Sequence, residues 1–193
     1  MRLFLTLVFA LFCSISFSQS KGQLLLGGGL FYDGSTQEDS VISNQTRLLS
    51  ISPLFGLMVS DRIATGVLLD YRVDVEKVKN LRNNAENKDS QKTMFIGAFG
   101  RLHGNFTDRV LYIAQLDLGK VFYLNGFTPH PIEYDANLKV GLMYFIAKRA
   151  SLGLNIATLN YSSTKIKDSK IKESNLRIDY NVLNPRFEVI FYL

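Results

Sequence analysis

The sequence predicts an all-β protein, an eight-stranded antiparallel up-and-down transmembrane β-barrel. Three observations predict it. Apolar and polar residues alternate in eight separate segments. The links between those segments are by turns very short and long. One face of each segment is almost free of charge, while the other mixes charge, amide and glycine. Composition agrees, since 193 residues with 14 Phe, 9 Tyr and only 4 Pro suit one β-rich domain rather than a helical bundle or a disordered tail.

The chain opens with "MRLFLTLVFALFCSISFSQS", in which Arg2 precedes an apolar run from Leu3 to Phe12 and small residues stand at Ser16 and Ser18. This pattern predicts a signal peptide over 1–18 and a barrel over 19–193. The run is far short of the roughly 20 apolar residues a spanning helix needs. The single cysteine, Cys13, falls inside the leader, so the exported chain is expected to hold no disulfide. Phe12 is too bulky for the position before a lipidated cysteine.

Beyond the leader no apolar stretch is long enough for a membrane helix. Alternating segments run at about 23–32, 46–59, 63–75, 93–104, 110–123, 132–146, 150–162 and 175–193. "GGGL", Gly27 to Leu30, leads into a strand rather than a helix, so it offers no helix terminus to a phosphate and reads as relief of crowding. Three links are short: "VSDRIA" around Asp61 and Arg62, "FTDRVL" around Asp108 and Arg109, and "IAKRAS" around Lys148 and Arg149. Four are long and polar: Asp33 to Gln45, Glu76 to Lys92, Leu124 to Pro131, and Lys165 to Ser174. Strict alternation of the two kinds places every tight turn, with both termini, at one end of an up-and-down barrel.

Periodicity alone leaves open which face looks inward: a soluble lipocalin-like barrel buries its apolar face, and a membrane barrel turns it to lipid. Three features favour the membrane case. The polar faces carry glycine among their charges, as a narrow lumen requires. Their charges nearly balance, with Asp70, Asp74, Asp117, Asp135, Asp179 and Glu188 against Arg72, Arg101, Lys139, Arg177 and Arg186. The apolar faces end in aromatics: Tyr112, Tyr144 and Phe191 toward the short turns, Tyr32, Tyr71, Phe122 and Tyr180 toward the long links. The nine residues from Ile63 to Tyr71 at about 3.3 Å each and a tilt near 40° give roughly 23 Å of height, one outer-membrane thickness. Asp70, Arg72 and Asp74 are then expected to point into the barrel and pair across strands, with Val67 and Leu69 toward lipid.

In the last segment the apolar set slips phase, from Leu176, Ile178 and Tyr180 to Phe187, Val189, Phe191 and Leu193. "LNPR", Leu183 to Arg186, lies at the slip, and Pro185 cannot donate to a ladder, so a bulge is expected there. The alternating, aromatic terminal strand is similar to the signal by which barrel-assembly machinery selects its substrates, with Leu193 where an aromatic is usual.

The stretches "SISPLFGLMVSDRIATGV", "FIGAFGRLHGNFTDRVLYIAQLDLG" and "GLMYFIAKRASLGLNIATLNYS" resemble the outer-membrane β-barrel domain family of the Bacteroidetes, an OmpA/OmpX-like small barrel family. Its recurring features are matched by Pro53, Gly66, Phe99, Arg101, Tyr144, Phe145 and Gly153, whereas Leu57 and Met58 replace an aromatic pair. The resemblance implies residence in the bacterial outer membrane, with periplasmic termini and extracellular long loops. It implies no particular activity.

The residues point away from catalysis. There are 2 histidines: His103, on an inward face beside Arg101, reads as structural, and His130, between two prolines of a long link, reads as a rigid turn. Neither stands in a pattern with a serine and an acid. Asp33, Glu38 and Asp39 lack the spacing of a calcium loop, so no metal and no cofactor are expected. Removing Arg2 with the leader takes the formal charge from +5 to +4. Lys165, Lys167, Lys170 and Lys172 form a comb that reads as a solvated loop able to touch lipopolysaccharide phosphates. The expectation is a monomeric structural or surface-binding barrel, not an enzyme, with a side-chain-filled lumen. Its partners are outer-membrane lipid and lipopolysaccharide, and barrel-assembly machinery during insertion, but no nucleic acid. Two alternatives stay open: a lipid A-modifying outer-membrane enzyme, and a soluble periplasmic lipocalin-like carrier.

Overall fold

The computed structural model describes residues 20–38, 42–80, 86–125, 131–166, 172–180 and 186–193. The leader, Asp39, His130, Lys167, Lys170 and Pro185 therefore lie outside the described residues, as does the side chain of Tyr180.

The strands are β1 (Leu24–Glu38), β2 (Ile42–Met58), β3 (Ile63–Asn80), β4 (Glu86–Asn105), β5 (Val110–Tyr123), β6 (Pro131–Ala147), β7 (Ala150–Ile166), β8 (Lys172–Tyr180) and β9 (Arg186–Tyr192). Each pairs antiparallel with the next as far as β7, which pairs with both β8 and β9, and β9 returns to β1. β8 and β9 are thus the upper and lower parts of one stave, and the whole is a closed eight-stranded antiparallel barrel, without helix among the described residues. Closure satisfies the edge groups that an open sheet leaves bare.

The short turns share one end. Val59 N–H donates to Ile63 O at 2.9 Å and Phe106 N–H to Val110 O at 2.9 Å, closing the Asp61–Arg62 and Asp108–Arg109 links. Leu24 and Leu193 exchange backbone hydrogen bonds of 3.1 and 2.9 Å at that same end. At the other end the strands outrun the sequence reading. β2 starts at Ile42, β3 reaches Asn80 and β4 starts at Glu86, so Asp33 to Gln45 and Glu76 to Lys92 are largely ladder rather than loop. Polar residues on both faces had removed the alternation that marks a strand there. Gly27 to Leu30 likewise lies inside β1 instead of preceding a strand.

The side chains sort by face. Val67, 59% exposed, and Leu118, 52% exposed, stand on an outer wall shared by Leu26, Leu49, Leu69, Leu116 and Leu138. The inside is not the uniformly polar lumen expected from sequence. Its short-turn half is packed with Leu25, Met58, Leu111, Ile113, Met143, Phe145, Ile190 and Tyr192, and its ionised residues gather above this plug. Such inward apolar residues alternate with outward apolar ones, as in Leu24–Leu25–Leu26, and so show no period of two.

The phase slip has a counterpart that the sequence reading missed. Outward residues change from Ile178 to Phe187 along β8 and β9, while β7 shifts its own register against β6 opposite Val140 and Gly141. There Val140 pairs with Ala157 but Gly141 with Asn155, which leaves Ile156 as an extra residue. β7 therefore turns Leu152 outward below the bulge and Tyr161 outward above it, in step with Phe187 and Leu176 on its neighbour. The expected bulge at Leu183 to Arg186 itself lies mostly outside the described residues.

Candidate functional site

A chain of polar side chains crosses the lumen above the apolar plug. Arg101 on β4 donates from Nη2 to Glu188 Oε2 on β9 at 2.9 Å and from Nε to Gln115 Oε1 on β5. Gln115 Nε2 donates to Asp117 Oδ1 at 2.6 Å, and Asp117 Oδ2 lies 2.7 Å from Lys139 Nζ on β6. Arg101 is 2% exposed and Asp117 1% exposed, so with Glu188 one cation and two anions are withdrawn from water together, and the half-buried Lys139 supplies the second positive charge from the cavity side. Alternation aims these residues inward, and the register brings them to one level, with Arg101 opposite Gln115 and Gln115 opposite Lys139. Glu188 reaches Arg101 because its cross-strand partner is Gly153, where a Cβ would lie 2.3 Å from Glu188 Cγ.

Over this network opens a polar cavity of about 240 Å³ toward the long-link end. Its walls include Asp70, Arg72, Asp74, Asp135, Asp179, Arg177 and Arg186. Asp70 and Arg72 were expected to pair across strands, but Arg72 lies 3.5 Å from Asp70 on its own strand. Arg177 Nε similarly donates to Asp179 Oδ2, two residues on, at 3.0 Å. Residues two apart on a strand share a face, which suffices for these contacts. Asp70 Oδ1 also accepts from Ser50 and, at 3.0 Å, from Ser52, beside the place where Pro53 interrupts the β2–β3 ladder. Arg177 has a side chain 62% exposed, standing at the mouth rather than in the interior. The guanidinium of Arg186 stacks 4.5 Å over the ring of Phe31.

Two polar contributors escaped the sequence reading. Glu133 accepts a short hydrogen bond from the Tyr123 hydroxyl in the cavity wall, and only its parity with Asp135 could have pointed to it. Tyr192 belongs to the inner wall, one residue from the outward Phe191, and donates to Met143 Sδ at 3.1 Å. His103 stands edge-on to Tyr192, with ring centroids 6.4 Å apart, buried at the short-turn end. Arg101, the neighbour expected of that imidazole, is close enough to act on it through its charge, and the tyrosine ring packs on it as well.

Outward aromatics stand at both ends of the outer wall, and Phe55 and Phe187 are exposed between them. Tyr112, Tyr144 and Phe191 are exposed toward the short turns, and Tyr32, Tyr71 and Phe122 toward the other end, where Tyr134 and Tyr161 join them. Among the described residues no three His, Cys, Asp or Glu side chains converge as metal ligands do. No protein-family model matches this sequence, and no curated protein matches it as a relative.

Proposed function

We propose that this chain is a small bacterial outer-membrane β-barrel protein of the Bacteroidetes type, exported by the leader over 1–18, with its short turns periplasmic and its long strands rising outside the cell. Its role is structural or surface-binding: a rigid wall carries the extended β2–β3–β4 ladder above the bilayer. The observation that carries this reading is the inversion of the wall, with Val67, Leu69, Leu116 and Leu118 outside and Arg101, Asp117 and Glu188 inside. A soluble barrel exposing that much hydrocarbon would aggregate, whereas a bilayer solvates it. The carrier alternative needs the apolar face to line a ligand cavity, and here the cavity is polar. The enzyme alternative draws no support from His103, which is enclosed against Tyr192.

The test is extraction and insertion. The protein should require detergent for release from envelopes, migrate differently on a gel before and after boiling, and give no steady conductance in planar bilayers. Recovery in a soluble periplasmic extract would refute the membrane reading. A large steady conductance would refute the filled lumen.

A further inference from the structure

Charge is sorted by face in the part of the barrel above the aromatic ring at Tyr71. Alternation from the exposed Leu49 and Tyr71 carries Arg47 on β2 and Lys77 and Lys79 on β3 onto the outer face, joined by Lys88 and Lys92 on β4. Lys120 on β5 adds to them, its ammonium 5.0 Å from the centroid of the outward Phe122 ring. By alternation Asp70, Asp74, Glu76 and Asp89 fall on the inner face, with Arg72 among them, and Glu86 falls on the outer. A basic collar therefore sits directly above the apolar belt, while the acids are collected inside it.

The collar has a concave centre. Gln45, Arg47, Lys77 and Lys88 surround a hollow of about 250 Å³ with Val75 in its wall. Lys77 and Lys88 are direct partners in the β3–β4 ladder, and Gln45 is the partner of Lys77 on the other side. Two like charges directly opposite each other destabilise a sheet unless an anion stands between them. Glu86 Oε1, 3.2 Å from Lys77 Nζ, answers one of the cations. Among the described residues no carboxylate pairs with Arg47 or Lys88.

We infer that Arg47, Lys77 and Lys88 form an anion site on the outer wall that takes the phosphate of an outer-leaflet lipid head group while the acyl chains lie along the apolar belt below. The source is a lipid rather than free phosphate because the cations are continuous with the belt: Arg47 lies two residues above Leu49, and Lys77 two above Val75 and six above Tyr71, on the same face. Arg47 supplies a planar fork and the lysines two point charges, a combination suited to a phosphate monoester. This inference rests on the membrane reading.

The experiment uses the folded chain in zwitterionic detergent, with native mass spectrometry counting retained phosphatidic acid against diacylglycerol of the same chains. Each cation beside an anionic head group contributes about fivefold, so Arg47→Gln, Lys77→Gln and Lys88→Gln together should weaken phosphatidic acid retention about a hundredfold. Arg62→Gln with Lys148→Gln, at the short-turn end, should leave it unchanged. A triple variant that still prefers phosphatidic acid would overturn the site, as would equal losses in both variants. Complete displacement of the lipid by inorganic phosphate at matched concentration would overturn the lipid as its source. A wild-type chain that folds in detergent and inserts into phosphatidylcholine vesicles, yet shows no preference, refutes the site alone. One that does not insert refutes the membrane reading first.

Discussion

Glu188→Gln removes one charge from the lumen network with almost no change in shape. Arg101 Nη2 and Glu188 Oε2 are 2.9 Å apart, and at an effective dielectric constant of about 20 two unit charges at that separation attract by about 6 kcal/mol. Part of this is offset by the cost of taking both ions out of water. Removing one partner leaves the other buried without its countercharge, an imbalance that costs about 3–5 kcal/mol. Glutamine keeps one acceptor for Arg101, so the lower end, about 3 kcal/mol, is expected. The assay is reversible urea unfolding from phosphatidylcholine vesicles, with mobility of unboiled protein reporting the folded fraction. Arg101→Met combined with Glu188→Leu should recover most of the loss, because no ion then remains unpaired. A single variant costing under about 1 kcal/mol, or a double variant as poor as the sum of its singles, would show that the two charges do not stabilise one another.

Gly153→Ala should act through the same side chain: its Cβ would fall 2.3 Å from Glu188 Cγ, so a loss of about 1–3 kcal/mol is expected that persists in a Glu188→Gln background, which keeps that carbon, and largely disappears in a Glu188→Ala background, which lacks it, measured by the same unfolding series. Gly66→Ala meets backbone instead, 2.1 Å from Phe55 O, and should abolish the fast-migrating folded band. Val67→Arg, on the outer wall, should cost about 2–4 kcal/mol in vesicles if that wall faces the bilayer midplane; a neutral result would sink the lipid-facing assignment. Replacing Met143 and Tyr192 together by Ala should thin the short-turn plug and raise permeability to small solutes in a liposome swelling assay. An unchanged swelling rate would mean that the polar network seals the lumen without them.

How much of this was legible in the chain follows from the range over which each property acts. A period of two is local, so Val67 and Leu69 against Leu68 and Asp70 were readable wherever one face was apolar and the other was not. The short links around Asp61, Asp108 and Lys148 were readable for the same reason, and alternation of link length then limited how the staves could be joined. Where both faces are polar, as from Glu76 to Lys92, or both apolar, as at Leu24 to Leu26, the signal vanishes. The extended ladder and the apolar plug were missed on those two grounds.

The sequence by itself determined the number of staves, the assignment of side chains to two faces wherever those faces differ in polarity, and the phase change near Pro185, because each is written in residues close together along the chain. Only the tertiary structure decided which inward residues meet. Arg101 and Glu188 are 87 residues apart, and their contact depends on how far the ladder is staggered when the barrel closes, a property of all the staves at once. The compensating bulge at Ile156 and the pairing of Lys77 with Lys88 are of the same kind, since register is set by neighbouring strands and not by the strand that carries the residue.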